Sequence, residues 1–169
     1  MKKKTNTLNI FLNTILVGKL TKASNGEISF RYDNDWIVNG FEISRSLPLQ
    51  EQAYKGEVVS RYFDNLLPDN EEIKALVATK FGAESTRSFD LLTAIGRDCV
   101  GALSFLPEGF EHPVDFELNH SPIRDKEIGR RLKSLGSTSP LGMKEGDFRI
   151  SIAGAQEKTA LLKLNGTWK

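Results

Sequence analysis

The chain has 169 residues, of which 39% are hydrophobic and 27% charged, ordinary globular usage that argues against wholesale disorder and against a collagen-like repeat. Its 23 basic and 22 acidic residues leave a net charge of +1, too balanced to bind nucleic acid through a bulk field. One cysteine, Cys99, excludes an internal disulfide framework and fits a reducing compartment. No apolar run nears the roughly 20 residues that span a bilayer. The basic start MKKKTNTLNIFLN has too short and too interrupted an apolar stretch for a signal peptide. A soluble, cytoplasmic protein with no membrane association is therefore expected.

The first 32 residues read as strands. Leu8, Ile10 and Leu12 alternate, Asn13-Thr14 turns the chain into Ile15–Leu20, and Glu27–Tyr32 alternates again. Asn25-Gly26 predicts a two-residue hairpin turn, so the opening element is a three-stranded antiparallel meander. Residues 33–56 read as irregular, with Leu47-Pro48-Leu49 extended. Val58, Val59, Tyr62, Phe63, Leu66 and Leu67 then recur at helical steps until Pro68. Asp69 is the expected N-cap of the next helix, with Glu71 and Glu72 in its first turn. Its expected buried face is Ile73, Leu76, Val77 and Phe81, and Gly82 closes it. A third helix spans 88–96, and residues 100–106 form a buried strand ended by Pro107. The segment 107–122 holds three prolines and both histidines and reads as a linker. A short basic helix is expected over 123–135, then strands over 148–153 and 159–164, and Asn165-Gly166 marks another hairpin.

One segment points to chemistry. Arg149–Leu162 places a strand, a small-residue turn carrying a lysine, and a second strand in succession. Small side chains at Ala153, Gly154 and Ala155 let backbone N–H groups approach phosphate oxygens, and Lys158 adds a point charge. The GxxxxGK[ST] and GxGxxG spacings are both absent, and on residue types alone a plain β-hairpin is the simpler account. Ser151 and Thr159 flank the turn. Phosphate on either would place about −1.5 to −2 charges where an anionic nucleotide binds, although an ordinary strand residue is again the simpler account. His112 and His120, near Glu111, Asp115 and Glu117, lack the framing of a metal site and read as a solvated loop. Cys99 reads as a core thiol, and Lys2–Lys4 as a solvated tail. Asp64 and Asp69 read as a helix end and a cap, not a catalytic pair. No HRD-like or DFG-like set follows Lys158, after which 11 residues remain.

In order and spacing, LVGKLTKASNGEISFRY (16–32), SRSLPLQ (44–50), YFDNLLPD (62–69), FDLLTAIGRDCVGALSFLPE (89–108) and DFRISIAGAQEKTALL (147–162) resemble the amino-terminal part of the HipA-like serine/threonine kinases, toxins of bacterial toxin–antitoxin modules. The resemblance covers essentially the whole chain and is weakest over 109–135. It implies that Ile152, Ala153, Gly154, Ala155, Gln156, Glu157 and Lys158 cover ATP phosphates, and that Ser151 is an autophosphorylation site that disables nucleotide binding. It also implies ATP and Mg as cofactors of the intact protein and an aminoacyl-tRNA synthetase as substrate. The implied partner is a HipB-like helix-turn-helix antitoxin, to which operator recognition is delegated, so direct DNA binding is not expected.

The family's lysine strand, catalytic aspartate and metal-binding aspartate lie downstream, so no catalytic or metal residue is assigned here. The isolated chain is expected to be an incompetent kinase that holds no nucleotide tightly. The expected fold is α+β: an antiparallel meander with a helical cluster over 1–107, a linker and short helix over 108–146, and over 147–169 the first hairpin of an incomplete kinase-like lobe. The alternative is a stand-alone HipS-like antitoxin that docks on a separately encoded kinase lobe. The trailing SIAGAQEKT segment counts against that alternative.

Overall fold

Apolar residues two apart start the fold. In the computed structural model, which describes residues 6–98, 102–110, 122–134 and 161–168, the expected meander is β1 (Thr7–Leu12), β2 (Ile15–Lys22) and β3 (Ile28–Tyr32). The short β4 (Tyr54–Lys55) and the later β5 (Leu103–Pro107) complete an antiparallel sheet in the order β4-β3-β2-β1-β5. Register sets Leu8 opposite Leu20, Leu20 opposite Phe30, and Ile10 opposite Phe105, so these five side chains share one face. A bulge between Ile10 and Phe11 inserts Val17, and Val17 and Gly18 are consecutively buried. Gly18 is required there, because a Cβ would lie 2.3 Å from the Arg31 carbonyl oxygen.

The turns follow backbone chemistry. Asn13 enters the first turn at φ 55°. At Asn25-Gly26 only Gly26 has positive φ, and the Ala23 N–H donates to the Glu27 carbonyl, so a three-residue loop replaces the expected two-residue turn.

Helices cover the apolar face. α2 (Glu57–Asp64) ends before Pro68, α3 spans Glu71–Phe81, and α4 spans Ser88–Ile95. Phe63 of α2 sits edge-on to both Phe30 and Phe105, at centroid distances of 5.7 and 5.8 Å. Val59, Val77, Leu91 and Leu92 complete this fully buried centre. The α+β architecture expected from the sequence is the one present.

Three local expectations are corrected. Residues 33–56 are not wholly irregular: α1 (Asn34–Asn39) follows the cap Asp33, whose side chain accepts from the Asp35 N–H. The N-cap of α3 is Asn70 rather than Asp69, with its side chain accepting from Glu72 and Ile73 N–H groups. The buried face of α3 is turned, because Leu76 is 40% exposed while Lys74 is buried beside Val77. Gly82 does end α3, in the left-handed conformation expected of it.

The chain divides into two compact units, residues 1–114 and 115–169. In the second, α5 spans Asp125–Ser134, and β6 (Lys163–Leu164) pairs with β7 (Thr167–Trp168). Asn165 and Gly166 both have positive φ, 48° and 77°, as a two-residue type I′ turn demands. The Ile123 N–H donates to the Trp168 carbonyl at 2.9 Å. The strand expected over 148–153 lies outside the described residues, as do 159 and 160 of the strand expected over 159–164.

Candidate functional site

Alternation in β2 that points Leu20 into the core points Lys22 the same way, toward the start of α4. Lys22 Nζ donates to Asp90 Oδ1 at 2.6 Å, and Ser85 Oγ donates to Asp90 Oδ2 at 2.6 Å. The Ser85 hydroxyl also accepts from the Arg87 N–H. Asp90 is 6% exposed, and Lys22 lies 5.7 Å from the Phe89 ring centre. A buried carboxylate is thus matched by one cation and one hydroxyl, so each of its oxygens has a partner.

A second buried charge lies nearby. Lys74 Nζ donates to Asp64 Oδ1 at 3.2 Å and to Glu71 Oε1 at 3.0 Å, joining the end of α2 to the start of α3. Burial alone would lower the Lys74 pKa. The hydrogen bonds and charges of Glu71 and Asp64 outweigh it, and the net shift is upward. Between the two clusters opens a cleft of about 430 Å³, lined by Gly26, Ser60, Thr86, Arg87 and Ser88 as well as the charged groups. Its lysines are already neutralised by carboxylates. The charged groups around the cleft join the elements that line it. Among the described residues, no three His, Cys, Asp or Glu side chains gather to hold a metal ion.

A surface of different character lies on α1 and the turn after it. Trp36 is buried, and its Nε1–H donates to the Phe41 carbonyl at 2.8 Å. The two rings pack at a 5.3 Å centroid distance. Gly40 lies flat against the indole, since a Cβ there would come within 2.5 Å of it. Phe41 is therefore fixed in place while its side chain stays in solvent.

Ser151 and the expected phosphate loop, Ile152 through Lys158, lie outside the described residues, as do Cys99, His112 and His120. Asp64, weighed as half of a carboxylate pair with Asp69, meets Lys74 instead. The sequence reading passed over Lys22, Lys74 and Asp90. A usable signal existed: Lys22 continues the inward positions of β2, Lys74 stands three residues before Val77, and Asp90 lies between Phe89 and Leu91. A charged residue in phase with a core face asks for a buried partner.

The HipA N-terminal domain family model matches residues 8–106. The serine/threonine-protein kinase toxin HipA of Shewanella oneidensis is 31% identical over 159 residues, which cover 94% of this chain and 35% of that protein. A solved complex of Shewanella oneidensis HipA, HipB and operator DNA is similar at a TM-score of 0.65 and 28% identity, over 95% of this chain and 37% of that one. The chain thus spans little more than a third of the length of these relatives.

Proposed function

The chain belongs to the HipA N-terminal domain family, and from that premise we propose that it is the amino-terminal portion of a HipA-like toxin kinase that phosphorylates serine or threonine on an aminoacyl-tRNA synthetase. The observation that carries this reading is the extent of the match to a kinase toxin, 94% of the chain, which exceeds the family domain at 8–106. In this reading residues 152–158 cover the phosphates of Mg-ATP, with backbone N–H groups as donors and Lys158 as a point charge. Ser151 is the autophosphorylation site, and a phosphate there repels the nucleotide that the loop would hold. Transfer to a substrate belongs to the intact protein and not to these 169 residues alone. A HipB-like antitoxin is the partner.

The test is to incubate the intact gene product with Mg-ATP and map the modified residue by mass spectrometry. Phosphate on Ser151, absent from Ser151→Ala, is the expected result. Phosphate on other residues only, or phosphate transfer by the 169-residue chain alone, would overturn the assignment.

A second reading has one observation in its favour: residues 1–114 form a unit with its own buried centre. On that ground the chain serves as a HipS-like antitoxin that docks on a separately encoded kinase lobe. Pull-down of a kinase-like protein encoded beside this gene would favour it over the first.

A further inference from the structure

The dipeptide Asn-Gly occurs three times, at 25–26, 39–40 and 165–166, and all three asparagines are exposed. In such a pair the glycine nitrogen reaches the preceding side-chain amide easily, because glycine has no Cβ to crowd the ring that forms. Sequence and exposure therefore rank the three sites alike. Hydrogen bonding separates them.

At the first site the Asn25 side-chain oxygen accepts from the Glu27 N–H at 3.0 Å, and the Gly26 N–H donates to the Ala23 carbonyl at 2.9 Å. At the second, Asn39 Nδ2 donates to the Asp35 carbonyl at 3.2 Å, and the Gly40 N–H donates to the Trp36 carbonyl at 2.7 Å. Both reacting groups are thus held at each site. At Asn165-Gly166, neither the side-chain amide nor the glycine N–H has a hydrogen-bond partner among the described residues. The turn joins β6 and β7, two residues each, which form a two-stranded sheet among the described residues. So short a hairpin opens at little cost.

We propose that Asn165 is a site of spontaneous deamidation in the folded chain, whereas Asn25 and Asn39 are protected by their hydrogen bonds. The Gly166 nitrogen gives its proton to water and attacks Asn165 Cγ. The bond from Cγ to Nδ2 breaks, ammonia leaves with a proton returned by water, and a cyclic imide remains. One water opens the imide at either carbonyl, giving aspartate or isoaspartate with nothing oxidised or reduced. Isoaspartate routes the main chain through Cβ, one atom longer, and a two-residue turn has no room for that atom. The pairing of Lys163 with Trp168 is lost in that product. The inference is independent of the toxin reading.

The test is to incubate the 169-residue chain in mildly alkaline buffer, folded and in denaturant, and to follow all three sites by peptide mass spectrometry. Acid in place of amide marks conversion, and an isoaspartate-specific carboxyl methyltransferase identifies the longer product. In the folded chain Asn165 is expected to convert at least about tenfold faster than Asn25 or Asn39, because each of those must first break two hydrogen bonds. In denaturant the three rates are expected to converge. Asn165→Gln is expected to abolish conversion at 165 and leave the other two sites unchanged. Equal rates in the folded chain, or earlier conversion at Asn25 or Asn39, overturn the proposal. The same rate ratio in denaturant as in the folded chain also overturns it, because flanking sequence rather than hydrogen bonding then sets the order.

Discussion

Tyr32 shows how one side chain fixes a long irregular segment. Its hydroxyl donates to the Leu47 carbonyl at 2.5 Å and accepts from the Ile43 N–H at 3.0 Å, so one oxygen holds two points of the segment between α1 and β4. Burial pushes the phenol above its ordinary value of 10.0. The Ile43 N–H opposes this, and the nearby Tyr54 and Glu42 add to it. The folded chain then holds the phenolic proton more tightly than the unfolded chain. Stability from this source is complete below pH 10.0 and is lost as pH rises through the raised folded value. Replacing Tyr32 with Phe leaves a carbonyl and an N–H without their partner, at a cost of about 1–3 kcal/mol near neutrality. The same change removes the titrating group. Urea unfolding across pH 8–11 is expected to show a lower plateau for Tyr32→Phe and a shallower decline on the alkaline side.

At the scale of elements, the join between α2 and α3 rests on an asymmetric charge cluster. The Lys74 side chain is 7% exposed, whereas those of Asp64 and Glu71 are 48% and 73% exposed. Removing the carboxylates strands a buried ammonium; removing the ammonium leaves carboxylates that water can solvate. Asp64→Asn with Glu71→Gln is therefore expected to destabilise by about 1–3 kcal/mol, and Lys74→Met by less, as measured by chemical denaturation. This cluster also marks where sequence reading stops. The opening meander, α2, α4 and the α3 termination at Gly82 were legible, because each rests on local signals: alternation, helical spacing or a left-handed glycine. The buried face of α3 was not, because the pairing of Lys74 with Asp64 joins two helices, and a lysine in isolation reads as surface. The six residues of α1 are too few to show periodicity, and the cap Asp33 was the one cue they offered. Of the site, the paired charges obey the strand and helix periods, but their partners lie up to 68 residues apart, as Lys22 and Asp90 do.

For the whole molecule, every fully buried side chain among the described residues lies between Leu8 and Phe105. Residues 1–114 are therefore expected to unfold in one cooperative transition by themselves, with a thermal midpoint close to that of the 169-residue chain. Loss of the transition on truncation, followed by circular dichroism, would show that the buried centre depends on residues 115–169. The order of strands carries a further consequence, which belongs to the ribosome. β1 emerges first yet occupies an interior place, between β2 and β5, and about 90 residues separate the end of β1 from the start of β5. At synthesis rates of about 5–20 residues per second, the nascent chain waits about 5–20 s before the last strand of this sheet exists. For that interval one edge of β1 is an open template, with Leu8 and Ile10 beside it. Any extended peptide nearby can occupy the place reserved for β5, so the yield of folded protein depends on how quickly translation passes residue 107 and on what shields the nascent chain until then.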